Sequence, residues 1–336
     1  MGEKRTGIVL LMVAVCVVSV GFFPLVGGGC GKKPERDTAL NVGVVMDVGG
    51  RDDKGKNALV WRGCQRAVEE LDVEVDYREP TSESEFGKAV EELISDGAEL
   101  VIIAAAPLEA TVLEFAAENP GVDFVIIDGT GGTDNVLALT FACEDAGYIA
   151  GAAAAAYFPT GEFGFIGGRE DEPTRELSRG FSRALYDFAG KKPDVAFLGD
   201  DFEAPADTEK AVGVAERMYG AGADVIFATA GRSNPDIFAV ALERSRYAVG
   251  YESNQNWIEP GWVFLSVSRR TDEIVYKIIL DRYGGRFDGG VRSYTVGDDV
   301  FEFPIDEENP ALYDEGVVAR IETVRSELAA GERQPP

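Results

Sequence analysis

Short apolar runs alternate with stretches of helical period, and this alternation passes along the chain twice. In the first series, apolar runs at 40–46, 73–77, 100–104, 124–127 and 136–141 are separated by helical patterns at 58–71, 84–95 and 108–118. The second opens on a helix of small residues at 147–157. It continues with runs at 163–166, 195–198, 225–228 and 248–251, between helices at 175–189, 208–219 and about 236–243. A strand that pairs in parallel with the next needs a crossover, normally a helix, so each series predicts a mostly parallel sheet flanked by helices. With more residues than one core usually organises, the two series predict an α/β protein of two lobes with a cleft between them. The run at 263–266 and the helix at 272–283 are expected to return to the first lobe. This puts residues 39–143 and about 255–330 in lobe 1 and 144–254 in lobe 2. A last helix at 315–328 precedes a disordered tail at 331–336. The 147–157 segment is too short to span a bilayer; its small side chains suit a helix lying close to a sheet.

The start of the chain reads as an export signal over residues 1–29. Lys4 and Arg5 give a positive start, residues 8–26 are almost unbrokenly apolar, and Gly27-Gly-Gly-Cys30 follows. Small residues before a cysteine are what a lipoprotein signal peptidase accepts, so Cys30 is expected to be lipidated, with 30–38 as a tether. An uncleaved membrane helix is the competing reading. Either way the protein faces outside the cytoplasm, held at the membrane in the cell envelope. Beyond Cys30 the thiols are Cys64 and Cys143, too few for a disulfide framework and both among apolar neighbours. The absence of histidine removes His-ligated zinc and His-based catalytic dyads; no metal or cofactor is expected. A formal charge of −27 argues against nucleic-acid binding, which needs a basic face. It reflects either adaptation to a salty medium or compositional drift.

The most specific local signal follows the first apolar run: Asp47-Val-Gly-Gly-Arg-Asp-Asp-Lys-Gly-Lys-Asn57, a glycine loop between a strand and a helix. In open α/β sheets such loops converge on one crevice. The stretch resembles the opening loop of the basic membrane protein family, the purine nucleoside receptor A group of ABC-transporter substrate-binding lipoproteins. Further motifs occur in the family's order: Ser95-Asp-Gly-Ala98, Phe124-Val-Ile-Ile-Asp128, Leu139-Thr-Phe-Ala142 with Tyr148-Ile-Ala-Gly151, Gly164-Phe-Ile-Gly-Gly168, Gly180-Phe181, Gly222-Ala-Asp-Val-Ile-Phe227, Ala230-Gly231 and Ser266-Val-Ser-Arg269. The resemblance implies a type I periplasmic-binding fold, a monomer that closes on a small nucleoside-like solute and passes it to an ABC permease. A receptor that presents its ligand to a signalling partner is the alternative. An enzyme is not expected, since neither a nucleophile elbow nor a phosphate loop occurs.

Carried over residue by residue, the resemblance implies ligand contacts for Asp47, Asn57, Asp128, Phe202 and Gly231. Helix capping is an equally available role for Asp47 and Asn57. Phe202 matches a stacking aromatic. Glu252, in Tyr251-Glu-Ser-Asn-Gln255, stands where the family's Asp accepts ribose hydroxyls, and Arg269 stands for a family Lys; a plain salt bridge between these two is the alternative. The departure is Lys56, which replaces an aromatic that stacks on the base. A lysine there suggests an anionic ligand in place of a nucleoside. Arg51, Arg169 and Arg232 also fall in strand-end loops, and Tyr251, Trp257 and Trp262 are substitute aromatics or core residues.

Overall fold

The computed structural model describes residues 38–309 and 315–333. The expected lipidation site Cys30, the signal and most of the tether lie outside the described residues.

The apolar runs inside each sheet become buried strands because both faces are covered by helices, while the edge runs at 73–77 and 195–198 are only partly buried. The first series gives β1 (Leu40–Val45), β2 (Val73–Arg78), β3 (Leu100–Ile103), β4 (Asp123–Ile127) and β5 (Val136–Phe141), with helices α1 (Lys56–Glu70), α2 (Glu83–Ser95) and α3 (Glu109–Glu118) between them. The second begins with α4 (Cys143–Tyr157). It then runs β6 (Phe163–Arg169), α5 (Glu172–Ala189), β7 (Asp194–Gly199), α6 (Thr208–Gly220), β8 (Val225–Thr229), α7 (Asn234–Glu243), β9 (Tyr247–Glu252) and β10 (Val263–Arg269). Helix α8 (Thr271–Tyr283), β11 (Gly290–Tyr294), β12 (Phe301–Glu302) and α9 (Glu315–Ala329) complete the order. The first sheet is β11-β5-β4-β3-β1-β2 and the second β12-β10-β9-β8-β6-β7, parallel throughout except for β12. Each sheet heads one lobe, so the two-lobed α/β fold expected from the sequence is the one observed.

Strand β10 lies in the second sheet beside β9, not in the first lobe as expected. All seven of its residues are buried, and a strand buried on both faces needs a neighbour already in place. The chain re-enters the first lobe only after Arg269: α8 packs on α1, and β11, an edge strand with alternating exposure, joins β5. Three crossings therefore link the lobes, after β5, after β10 and between β11 and β12. They lie together, since Ala142 N–H donates to Tyr294 O at 2.9 Å and Arg270 N–H to Val300 O at 2.9 Å.

Helix α4 makes its close approach to α5 rather than to a sheet. A Cβ on Gly180 would stand 1.9 Å from Glu144 O, and one on Gly147 would stand 2.2 Å from Leu177 O. Only glycine permits this contact, so the two helices form one slab. Cys64 and Cys143 are buried free thiols.

Candidate functional site

In each sheet the strand order reverses beside one strand, β1 in the first and β6 in the second, and ligands bind at such points outside the strand ends. Asp47 follows β1 and Arg169 ends β6. The loop after β1 is fixed by two side chains. Asn57 accepts from Asp47 N–H at 2.9 Å and donates to Asp47 O and Gly50 O at 3.0 Å each. The Asp53 carboxylate accepts from the amides of Gly55, Asn57 and Ala58 at 2.8–3.1 Å and so caps α1. Gly49 has φ +104°, and a Cβ there would meet Arg232 Cβ at 2.9 Å.

This frame presents Asp47 to the cleft, where six charges, each at most 14% exposed at its side chain, alternate in sign. Arg169 donates to Asp47 Oδ1 at 2.9 Å, and Lys56 Nζ stands 3.2 Å from Asp47 Oδ2 and 3.6 Å from Asp128 Oδ2. Arg269 donates to Asp128 Oδ1 at 2.5 Å and reaches Glu252 Oε2 at 2.7 Å. The order is Arg169, Asp47, Lys56, Asp128, Arg269, Glu252, with formal charges that sum to zero. Asp47, Lys56 and Asp128 belong to the first lobe and the other three to the second, so two of the ion pairs bridge the lobes. Burial pushes the Asp47 carboxyl up, but Lys56 and Arg169 outweigh it and hold it below the usual carboxylate range. Burial is likewise overcome at Asp128 by Arg269 and Lys56. At Glu252 burial prevails, and Asp128 adds to it, so its carboxyl is raised despite Arg269. Lys56 is held firmly in its charged form by Asp47 and Asp128 against the opposing effect of burial.

Asp128 (φ 63°) and Glu252 (φ 78°), which end or follow β4 and β9, both occupy the left-handed region. Such backbone costs about 1–3 kcal/mol per residue and concentrates at binding sites. These charges line a cavity of about 70 Å³ together with Thr229, Gly231, Asn234 and Tyr251. A second cavity of about 510 Å³ shares Asp128 and Arg169 with it, and a third of about 910 Å³ lies by Gly49, Glu79, Leu198 and Arg232.

Of the residues singled out from the sequence, Asp47, Lys56, Asp128, Gly231, Glu252 and Arg269 meet at the small cavity. Asn57 does not line it; its side chain is committed to the loop backbone, the capping-type role left open above. Phe202 does not line it either. Although it belongs to the second lobe, its ring is buried in the first lobe's apolar cluster with Val45, Val48 and Ile103, and Arg169 lies 5.5 Å from its centroid. Arg51 pairs with Asp52 and stands over Trp61 and Tyr77, outside all three cavities. Trp262 packs on Tyr247, and Trp257 is exposed. The sequence offers Arg169 only as one of several loop cations; its place at the end of the strand where the second sheet reverses is the signal that marks it.

The profile of the family described as ABC transporter substrate-binding protein PnrA-like matches residues 40–330. An uncharacterized lipoprotein from Pyrococcus abyssi is 26% identical across 86% of this chain and 74% of its own length. The ABC transporter nucleoside-binding protein BmpA of Lactococcus lactis is 24% identical across 87% and 89%. The crystal structure of an ABC transporter system solute-binding protein from Aeropyrum pernix superposes with a TM-score of 0.77 at 20% identity, covering 88% of this chain and 94% of that one.

Proposed function

We propose that this chain, which belongs to the PnrA-like family of ABC transporter substrate-binding proteins, captures a nucleoside or related heterocycle between its lobes. Proteins of this family bind solutes for a membrane permease and are not enzymes. The observation that carries the ligand reading is the alternating chain of charges at the two switch points, in which every cation is paired with a carboxylate. A buried charge left without a partner costs several kcal/mol. The three cations are already matched within that chain of charges and Asp53 and Asp171 also line the cavity, so the site favours a ligand without negative charge and rich in hydroxyls and ring nitrogens. Glu252 with Arg269 suits a vicinal diol, and Asp47 and Asp128 suit donors on the ligand. The anionic ligand suggested by Lys56 is disfavoured, because that ammonium is already matched by two carboxylates. At about 70 Å³ the cavity is well below the roughly 300–1,000 Å³ of ligand pockets, so entry requires the lobes to part and the inter-lobe pairs to be exchanged for ligand contacts. Relatives named as lipoproteins support a lipid anchor at Cys30 facing outside the cytoplasm.

Two measurements test the reading. Mass spectrometry of the small molecules released on denaturing the purified protein should identify a nucleoside or base, and calorimetry should show that compound binding without turnover. A released sugar acid or phosphate ester, with no nucleoside binding, refutes it. Incorporation of a palmitate analogue should be lost in Cys30→Ser.

A further inference from the structure

The 510 Å³ cavity differs in character from the small charged one it adjoins. Its size falls within the roughly 300–1,000 Å³ typical of ligand pockets. Its wall includes Phe141 and Tyr294, whose rings stack with centroids 5.5 Å apart and planes 20° from parallel. The Arg269 guanidinium lies 4.4 Å from the Phe141 centroid, so Phe141 is held between Arg269 and Tyr294. Tyr294 is only half-buried, stacks on Phe141 through one face and lines the cavity. The remaining aromatics near the charges offer no such face. Phe202 is buried in the first lobe, and Tyr251 is closed in by Phe227 and Arg269, with its hydroxyl 3.6 Å from Cys143 Sγ. Across the cavity, Glu176 on α5 makes no hydrogen bond or ion pair among the described residues, and burial raises its carboxyl to about 7. It is an unclaimed partner for the polar edge of a ring.

We propose that Tyr294 is the stacking platform for the ligand's planar heterocyclic ring, with Glu176 at the ring's edge and the charge chain holding the polar remainder. This rests on the nucleoside-like reading above and assigns the ring to a position that reading leaves open. The physical case is that aromatic stacking tolerates any planar ring and needs a flat, partly desolvated face, which in this cleft Tyr294 supplies.

Calorimetry with adenosine, guanosine, inosine and uridine, on wild type, Tyr294→Ala, Tyr294→Phe and Glu176→Gln, tests it, with thermal unfolding to show that each variant is folded. Tyr294→Ala should weaken the best nucleoside by about five- to 150-fold, the range for losing one base–aromatic stack. Tyr294→Phe should bind within about twofold of wild type, and Glu176→Gln should change the ranking among the four rings. If wild type binds a nucleoside and folded Tyr294→Ala binds it equally well, the platform is overturned while the nucleoside reading stands. Loss in both Tyr294→Ala and Tyr294→Phe would point to the hydroxyl and also overturns stacking. Binding of none of the four by wild type removes the nucleoside reading and this inference with it.

Discussion

Phe202→Ala should open the cleft. The ring reaches from the second lobe into an apolar cluster whose other buried members all come from the first, and only 3% of the residue is exposed. When the lobes part, that burial is lost, at about 1.5–3 kcal/mol for a phenylalanine side chain. The guanidinium of Arg169 beside the ring belongs to the same lobe, so that contact is lost from open and closed forms alike and does not enter their ratio. The neighbouring hydrogen bond from Arg169 to Phe202 O involves backbone and survives the substitution. The closed form should therefore lose about 1.5–3 kcal/mol relative to the open one, a shift of roughly 10- to 150-fold in their ratio. If the ligand binds the closed form, apparent affinity falls by up to the same factor, since part of its binding energy then goes into closure. Small-angle scattering of the ligand-free protein should show a larger radius of gyration in Phe202→Ala than in wild type, and calorimetry with the co-purified solute should show weaker binding. Superimposable scattering profiles together with unchanged affinity would refute the wedge.

Three further outcomes are expected. Lys56→Phe, which from sequence alone looks like restoration of a stacking face, should instead destabilise the protein by about 1–3 kcal/mol in urea unfolding, because Asp47 and Asp128 lose a shared buried cation; an unchanged midpoint would refute this. Asp53→Ala should cost about 1–2 kcal/mol by the same assay, since three amides at the start of α1 lose their acceptor. The depressed carboxyls of Asp47 and Asp128 give the pH response its sign: their stabilisation is complete above the ordinary value of 3.8 and is lost as pH falls through the lower folded values. Wild type should thus lose stability below about pH 4 more steeply than Asp47→Asn measured alongside it, and equal slopes would refute the assignment.

Much of the architecture was legible because parallel strands covered on both faces must be nearly continuous apolar runs, and β1, β3, β4 and β8 are. The edge strand β11 was not, since Val291 and Ser293 face solvent and leave only half a pattern. The lobe assignment of β10 failed because the apolar signal of a strand does not name its neighbour. The charge chain was partly legible: Asp47, Lys56, Asp128, Glu252 and Arg269 each stand at or next to a strand or helix end. The pairing was not. That Lys56 would be held by two carboxylates, or that Phe202 would turn into the other lobe's core, depends on how the lobes meet, and no local pattern records that.

The three chain crossings gather beside β5, β11, β10 and β12, at one edge of both sheets. Any rotation about them gives each inter-lobe contact its own moment arm. Arg269 with Asp128 sits one strand from that axis, on β10 facing the end of β4. Asp47 with Arg169 sits further out, at β1 and β6, and Phe202, in the loop after the edge strand β7, lies toward the outer rim. A given angle of opening stretches the outer contacts first and the inner pair last. The cleft should therefore unzip from its far side, with Arg269 and Asp128 the last pair to part and the first to re-form.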